Sequence, residues 1–272
     1  MVADLLGGAE LVPIQTGVRP LHGGDKSRFV KEIEEALLRG EIDLAVHSAK
    51  DVPGELPDGL VIASVPPRAD ARDVICGAGS LAELAEGARV GTASLRRRSQ
   101  ILALRPGLEI VELRGNVDTR LRKLADGGYN AIVLAAAGLE RLSRAAEGTP
   151  VPIEQMTPAP GQGCLALEIR ADDDATREAV ERIADPAASA CLAAERACVV
   201  ALEATCDTPV GAYAECVDGD PAHLRLRAYA GSHDGATWIR DEREGGTDVG
   251  AEVAERMLAA GAAALLGGQT LK

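Results

Sequence analysis

Ile42-Asp43-Leu44-Ala45-Val46 is a short, largely apolar run with a β-branched residue at either end, and it predicts a strand. The run breaks into the polar stretch His47-Ser48-Ala49-Lys50-Asp51 before Val52-Pro53 forces an extended exit. Upstream, Phe29, Val30, Ile33, Leu37 and Leu38 follow a 3.6-residue period and predict a helix over Arg28–Arg39, with Asp25 or Ser27 as N-cap and Gly40 as the stop. The chain begins with what reads as the end of a helix, Val2–Leu6, followed by a strand at Glu10–Gln15 in which Pro13 suggests an edge position. From Arg89 the pattern becomes regular. A strand at Arg89-Val90 precedes a helix over Leu95–Leu104. Leu108–Leu113 precedes a helix from Asp118 to Ala125, and Asn130–Ala135 precedes a helix containing Leu139 and Leu142. Such alternation predicts βαβ units and a parallel sheet.

Leu60–Val65 and Cys164–Ile169 read as further strands, and Thr157–Gly163 (TPAPGQG) is too rich in Pro and Gly for regular structure and suits a crossover or hinge. Helices follow over Ala175–Ile183 and Ala187–Leu202. Short strands at Val210–Cys216, His223–Ala230 and Thr237–Glu242 and a closing helix, Asp248–Leu266, then form an α+β pattern, which puts a domain boundary near Asp185.

Composition narrows the function. Of 272 residues, 46% are hydrophobic and only 2% aromatic, so the core must be built from Ala, Val, Leu and Ile, with no aromatic platform for stacking bases. A net charge of −13 disfavours DNA or an anionic membrane as a general partner. Six cysteines without a CxxC, and four histidines not at ligand spacing from them, argue against a zinc site. Cys191 and Cys198, on one helix, are about 10 Å apart along its axis, too far for a disulfide. With no signal peptide and no bilayer-length apolar run, the sequence reads as a cytoplasmic protein.

One stretch reverses the overall charge. Between Arg89 and Lys123, nine Lys and Arg stand against three acids, a local +6. A solvated helix face is one explanation and a localised anionic ligand another. Placement favours the ligand. In GTASLRRR, Thr92 and Ser94 stand at the mouth of a helix, where free N–H groups and the macrodipole favour an anion. Arg96 and Arg97 oppose the dipole in the first turn, which a bound polyanion would explain. In LRGNVDTRL, Arg114 ends a strand and Arg120 lies one helical turn into the next helix. Guanidinium forks match carboxylates, and neither a Walker loop nor GxGxxG is present, so a polycarboxylate suits the cluster better than a nucleotide. Lys50 and Asp51, past a strand end, would offer charges of either sign to a ligand in such a crevice.

GGDKSRFVKEIEEALL, HSAKDVP, GTASLRR, LRGNVDTRL, AIVLAAAGLERL, PAPGQG, AERA and ATCDTPVG occur in the order found in the porphobilinogen deaminases, also called hydroxymethylbilane synthases. The resemblance spans roughly residues 23–215 and implies an enzyme of porphyrin biosynthesis. Such a transferase condenses four porphobilinogen molecules head to tail with loss of ammonia, giving the linear tetrapyrrole hydroxymethylbilane. It implies a covalent dipyrromethane cofactor on Cys206 and a catalytic carboxylate at Asp51, which would stabilise the cationic azafulvene left by ammonia. It also implies that Lys26, Ser48, Lys50, Thr92, Ser94, Arg96, Arg97, Arg114 and Arg120 hold acetate and propionate side chains. His47 matches the motif without an assigned chemistry.

The implied fold is α/β: two lobes resembling type II periplasmic binding proteins plus a smaller C-terminal α+β domain. Residues 1–67 and 161–185 would form a discontinuous first lobe, 68–160 the second, and 186–272 the domain with the cofactor cysteine. A monomer is expected. Three departures stand out: ATC before the cofactor cysteine in place of a glycine-rich GGC, Ala49 where methionine is common, and Ala93 where serine is common. The family also starts with a strand bearing an Arg- and Ser-rich anion-binding motif; this chain starts in mid-element, so impaired cofactor loading and turnover are expected. The alternative is a non-enzymatic two-lobe binding protein for an anionic small molecule, which would leave Lys50-Asp51 and Cys206 idle.

Overall fold

The computed structural model describes residues 1–14, 27–205 and 208–267. Helices α1 (Val2–Leu5) and α2 (Ser27–Leu38) precede strands β1 (Ala45–Ser48) and β2 (Leu60–Ser64), with a 3₁₀ turn at Ala49–Asp51 directly after β1. The strand predicted at Glu10–Gln15 does not form over residues 10–14, which are irregular, with Leu11 82% exposed; Gln15 lies outside the described residues. Pro13 removes a ladder donor there, and among the described residues no strand is paired with this stretch. The strand predicted at Ile42–Val46 starts at Ala45 instead, so His47 and Ser48 belong to it.

The second lobe contains β3 (Asp73–Cys76), β4 (Arg89–Gly91), α3 (Leu95–Leu104), β5 (Glu109–Val111), α4 (Val117–Ala125), β6 (Ala131–Ala135), α5 (Ala136–Arg141) and β7 (Thr149–Pro150). Its strand order is β5-β4-β6-β3-β7. β4 runs parallel to β5 and β6 as the βαβ pattern predicts, but β3 is antiparallel to β6 and β7, making the sheet mixed. β3 escaped the sequence reading because all four of its positions are buried, which erases the alternation that marks a half-exposed strand. α3 and α4 are capped by Ser94 and Asn116, whose side chains accept from the backbone N–H groups of Arg97 and Thr119.

The chain then returns. β8 (Leu165–Arg170) inserts between β1 and β2, antiparallel to both, and α6 (Asp174–Glu181) follows. This three-stranded sheet is antiparallel, because its central strand arrives from the second lobe against the direction of its neighbours.

α7 (Pro186–Ala201) opens the C-terminal α+β domain, with Asp185 capping it and Pro186 in the first turn, where the missing N–H costs nothing. β9 (Val210–Val217), β10 (Asp220–Gly231) and β11 (Trp238–Gly245) form an antiparallel meander, covered by α7, α8 (Val249–Ala259) and α9 (Ala262–Gly267). The single helix predicted at Asp248–Leu266 is broken at Gly261, whose φ of +99° is poorly tolerated by other residues. The core here is built from small residues: Ala194, Ala212, Ala214, Ala228, Ala230 and Ala254 are all buried. A Cβ on Gly250 of α8 would sit 2.0 Å from the Ala194 carbonyl oxygen of α7, so the two helices meet backbone to backbone. Small residues fill a core by close approach of main chains, which is how so few aromatics suffice.

Candidate active site

The 3₁₀ turn Ala49–Asp51 leaves β1 at its carboxyl end, with Ser48, Lys50 and Asp51 half-buried. Its entry is fixed by the pairing of Ser48 with Leu165 and by the Ala49 N–H, which donates to the Cys164 carbonyl at 3.1 Å. Beneath the strand, His47 is buried and its Nε2 lies 2.9 Å from Glu168 Oε2, so the histidine is engaged inside the lobe. Burial, with Glu168 adding to it, pushes the neighbouring Glu34 carboxyl above its ordinary value, while His47 opposes the shift.

The Pro- and Gly-rich stretch Thr157–Gly163 brings the two lobes and the third domain to one place. A Cβ on Gly161 would lie 3.0 Å from both the Ala49 carbonyl carbon and the Lys50 nitrogen, and its φ is +71°. Glycine is thus required for the crossover to lie against the Asp51 turn. The Gly161 N–H donates to Glu195 of α7 at 2.6 Å. Gln162 gives its carbonyl to Arg68 and its side-chain N–H groups to the Ala71 carbonyl at 2.7 Å and to Asp73 at 2.9 Å. Arg141 at the end of α5 donates to the Gly163 carbonyl at 2.8 Å. Arg68, on the other strand of the crossover, pairs with the fully buried Glu195 at 2.6 Å and stacks over the Tyr213 ring at 4.9 Å. Burial would lower the Arg68 pKa, but Glu195 outweighs it and the guanidinium is held above its usual value.

Arg96 and Arg97 stand where the sequence put them, in the first turn of α3, but both are buried. The partner predicted to be a ligand is supplied by the chain. Asp73, the first residue of β3, accepts from Arg96 at 2.7 Å and from Arg97 at 2.8 Å. Burial alone would raise the Asp73 carboxyl; the two arginines reverse that and hold it well below the usual carboxylate range. Arg96 also donates to the Thr157 carbonyl and Arg97 to the Val133 carbonyl. One carboxylate against two guanidiniums leaves a surplus positive charge, and Arg96 Nε is buried without a hydrogen-bond partner among the described residues.

Thr92 is buried and its hydroxyl accepts from the Ser94 N–H at 3.1 Å, shaping the loop that leads into α3. Arg114 is exposed and pairs with Glu112 at 2.6 Å. Arg120 on α4 is half-buried, donates to the Gly115 carbonyl at 2.7 Å and forms no ion pair among the described residues. Burial lowers its pKa and the charge of Arg97 lowers it further, so the two guanidiniums share one electrostatic neighbourhood. Lys26 and Cys206 lie outside the described residues.

Sequence reasoning missed Arg68, Asp73, Gln162, Glu195, Arg196 and Arg141. Gln162, Glu195, Arg196 and Arg141 lie inside PAPGQG, AERA and AIVLAAAGLERL, so a signal was present without a role attached. Arg68 and Asp73 lie in no motif, and only the folded chain reveals them.

The mixed α/β fold thus gathers a carboxylate turn and a cluster with surplus guanidinium charge around one crossover, a donor chemistry that matches carboxylates. The family described as "Porphobilinogen deaminase, dipyromethane cofactor binding domain" matches residues 15–178, and its C-terminal domain matches residues 189–259. Porphobilinogen deaminase of Brevibacillus brevis is 47% identical over 248 residues, covering 89% of this chain and 80% of that protein. The Deinococcus radiodurans protein of the same name is 48% identical over 251 residues, with the same coverage of both chains. Among solved structures, a periplasmic substrate-binding protein from Coxiella burnetii is 15% identical, with a TM-score of 0.38, covering 60% of this chain and 79% of that one, a likeness too distant to build on. The chain belongs to the porphobilinogen deaminase family. Membership disfavours the alternative of a non-enzymatic receptor.

Proposed function

We propose that Asp51 is the carboxylate acting at the reacting pyrrole and that Cys206 carries the dipyrromethane. Lys26, Ser48, Lys50, Thr92, Ser94, Arg96, Arg97, Arg114 and Arg120 hold the carboxylates of the cofactor and of the incoming substrate. As a porphobilinogen deaminase, the protein is a transferase of tetrapyrrole biosynthesis that joins porphobilinogen units into hydroxymethylbilane. The observation that carries the site assignment is the Gly161–Gln162 crossover, which touches the Asp51 turn on one side and the Asp73–Arg96–Arg97 cluster on the other.

The donor set suits a dipyrromethane. The group brings several carboxylates, and the surplus charge of Arg96 and Arg97, together with Arg120, which has no ion pair among the described residues, suits such a ligand. When bound, the cofactor supplies the primer to which pyrrole units are joined. Asp51, half-buried and fixed at the end of β1, places a negative charge where a cation develops as ammonia departs. The same carboxylate is placed to accept and return a proton. The arginines of α3 and α4 orient the substrate by its carboxylates, turning encounter into alignment.

We assign residues 1–67 with 161–185, 68–160 and 186–272 as the three domains, and take the protein to act as a monomer in the cytoplasm. Within one chain, every assigned side chain is present. The thiols of Cys76, Cys164, Cys191, Cys198 and Cys216 are all free, which suits a reducing compartment. No helix among the described residues is long and apolar enough to cross a membrane.

The test is intact mass and turnover of three proteins. The parent should carry a mass increment of two pyrrole units, and Cys206→Ser should lack it. Asp51→Asn, with cofactor attached, should turn over porphobilinogen about 10²–10³-fold more slowly. An increment retained on Cys206→Ser, or parental turnover by Asp51→Asn, overturns the corresponding assignment.

A further inference from the structure

The Asp51 turn is held from a second side by a residue with no assigned role. Arg196, on α7, donates through Nη2 to the Pro53 carbonyl at 2.6 Å and the Gly54 carbonyl at 2.7 Å, and through Nη1 to the Val52 carbonyl at 3.4 Å. These successive carbonyls converge because the chain leaves the 3₁₀ turn in an extended conformation, Val52 having φ −81° and ψ 129° before Pro53. A planar guanidinium, with several N–H groups in one fork, suits such a row of acceptors; an ammonium is a point charge on a flexible stem. Burial weakens the positive form of Arg196, and Glu168 on β8 partly restores it, so the cation sits in the wall between α7 and the first lobe.

We infer that Arg196 is a positioning residue for the reaction: it holds the exit of the Asp51 turn in register with the helix that leads into the Cys206 segment. This inference rests on the reading of Asp51 given above. The entry of the turn is built into the β1–β8 ladder and the Gly161 contact, all within the first lobe and its crossover. The exit is tied to a different domain. α7 ends at Ala201, a few residues before Cys206, and its neighbouring Glu195 grips both segments of the interlobe crossover through Arg68 and Gly161. One turn of α7 therefore ties the exit of the Asp51 turn to the helix that precedes Cys206 along the chain. Positioning of this kind matters because a displacement of about 1 Å at a reacting group can cost about 10²-fold in rate.

The experiment compares holoenzymes, each with cofactor attachment verified by mass: parent, Arg196→Met, Arg196→Lys, Asp51→Asn and the doubles of each Arg196 variant with Asp51→Asn. Arg196→Met should lower kcat about 10- to 100-fold with KM changed less than about twofold. Arg196→Lys should recover part of the loss, since one carbonyl can still be held. In the Asp51→Asn background, neither Arg196 change should slow turnover further, because the group being positioned is already gone. A merely structural arginine would give losses that multiply in the doubles. Parental kcat in Arg196→Met, or multiplying losses in the double variants, overturns the inference. Should Arg196→Met fail to fold, Arg196→Lys alone and with Asp51→Asn makes the same comparison. Parental turnover by Asp51→Asn would instead overturn the reading of Asp51, a distinguishable result.

Discussion

Two pairs of arginines stand at successive strand-to-helix junctions of the second lobe, and they have opposite fates. Arg96 and Arg97 are drawn under α3 and share the buried carboxylate of Asp73, with backbone carbonyls taking further N–H groups. Arg114 and Arg120 stay at the rim: among the described residues, one pairs with the exposed Glu112 and the other donates to a backbone carbonyl. A guanidinium taken fully out of water must bring a carboxylate with it, whereas one at the surface can wait for a ligand. In the function proposed above, the first pair would form the floor of the ligand site and lend it surplus charge, and the second its rim.

That contrast is broken most severely at Asp73. Asp73→Ala should strand two buried guanidiniums and cost about 3–5 kcal/mol of stability, read from urea unfolding. An unfolding midpoint near the parent's would mean that the buried pair does not depend on Asp73. Arg120→Leu should leave the urea midpoint close to parental while cofactor loading or turnover falls, by the worth of a charged hydrogen bond, about 1.5–3 kcal/mol. Loss of stability without loss of turnover would place Arg120 with the floor instead of the rim. The smallest effect over the usual pH range is the titration of Asp73. Its folded pKa is depressed, so its stabilisation is complete above the ordinary Asp value of about 3.9 and is lost only as pH falls from there through the folded value. Acid unfolding should be steep below about pH 4 in the parent and shallower in Asp73→Asn. A loss of parental stability between pH 7 and 5 that Asp73→Asn abolishes would contradict this pairing.

The same division marks what could be read in advance. The helix mouths at Thr92 and Asn116 and the Pro- and Gly-rich crossover are legible because backbone conformation there follows from local chemistry: caps, glycine and proline. The basic run signalled an anion, but the sequence could not say that Asp73 supplies one. The partner is 23 and 24 residues from the two arginines along the chain and on a strand with no alternation.

By itself, the sequence determined most of the helices and strands, though not β3, and the basic character of the segment from Arg89 to Lys123, because periodicity, capping and charge are local quantities. It determined the family as well, through motifs that retain their order from Gly23 to Gly211. Tertiary structure alone decided that β8 inserts antiparallel between β1 and β2, that β3 is buried at every position, and that Arg196 and Glu195 on one helix grip the Asp51 turn and both crossover segments. Strand order and the pairing of buried charges are fixed by which surfaces meet in the folded chain, and residues 142 or more positions apart leave no local pattern from which that meeting can be read.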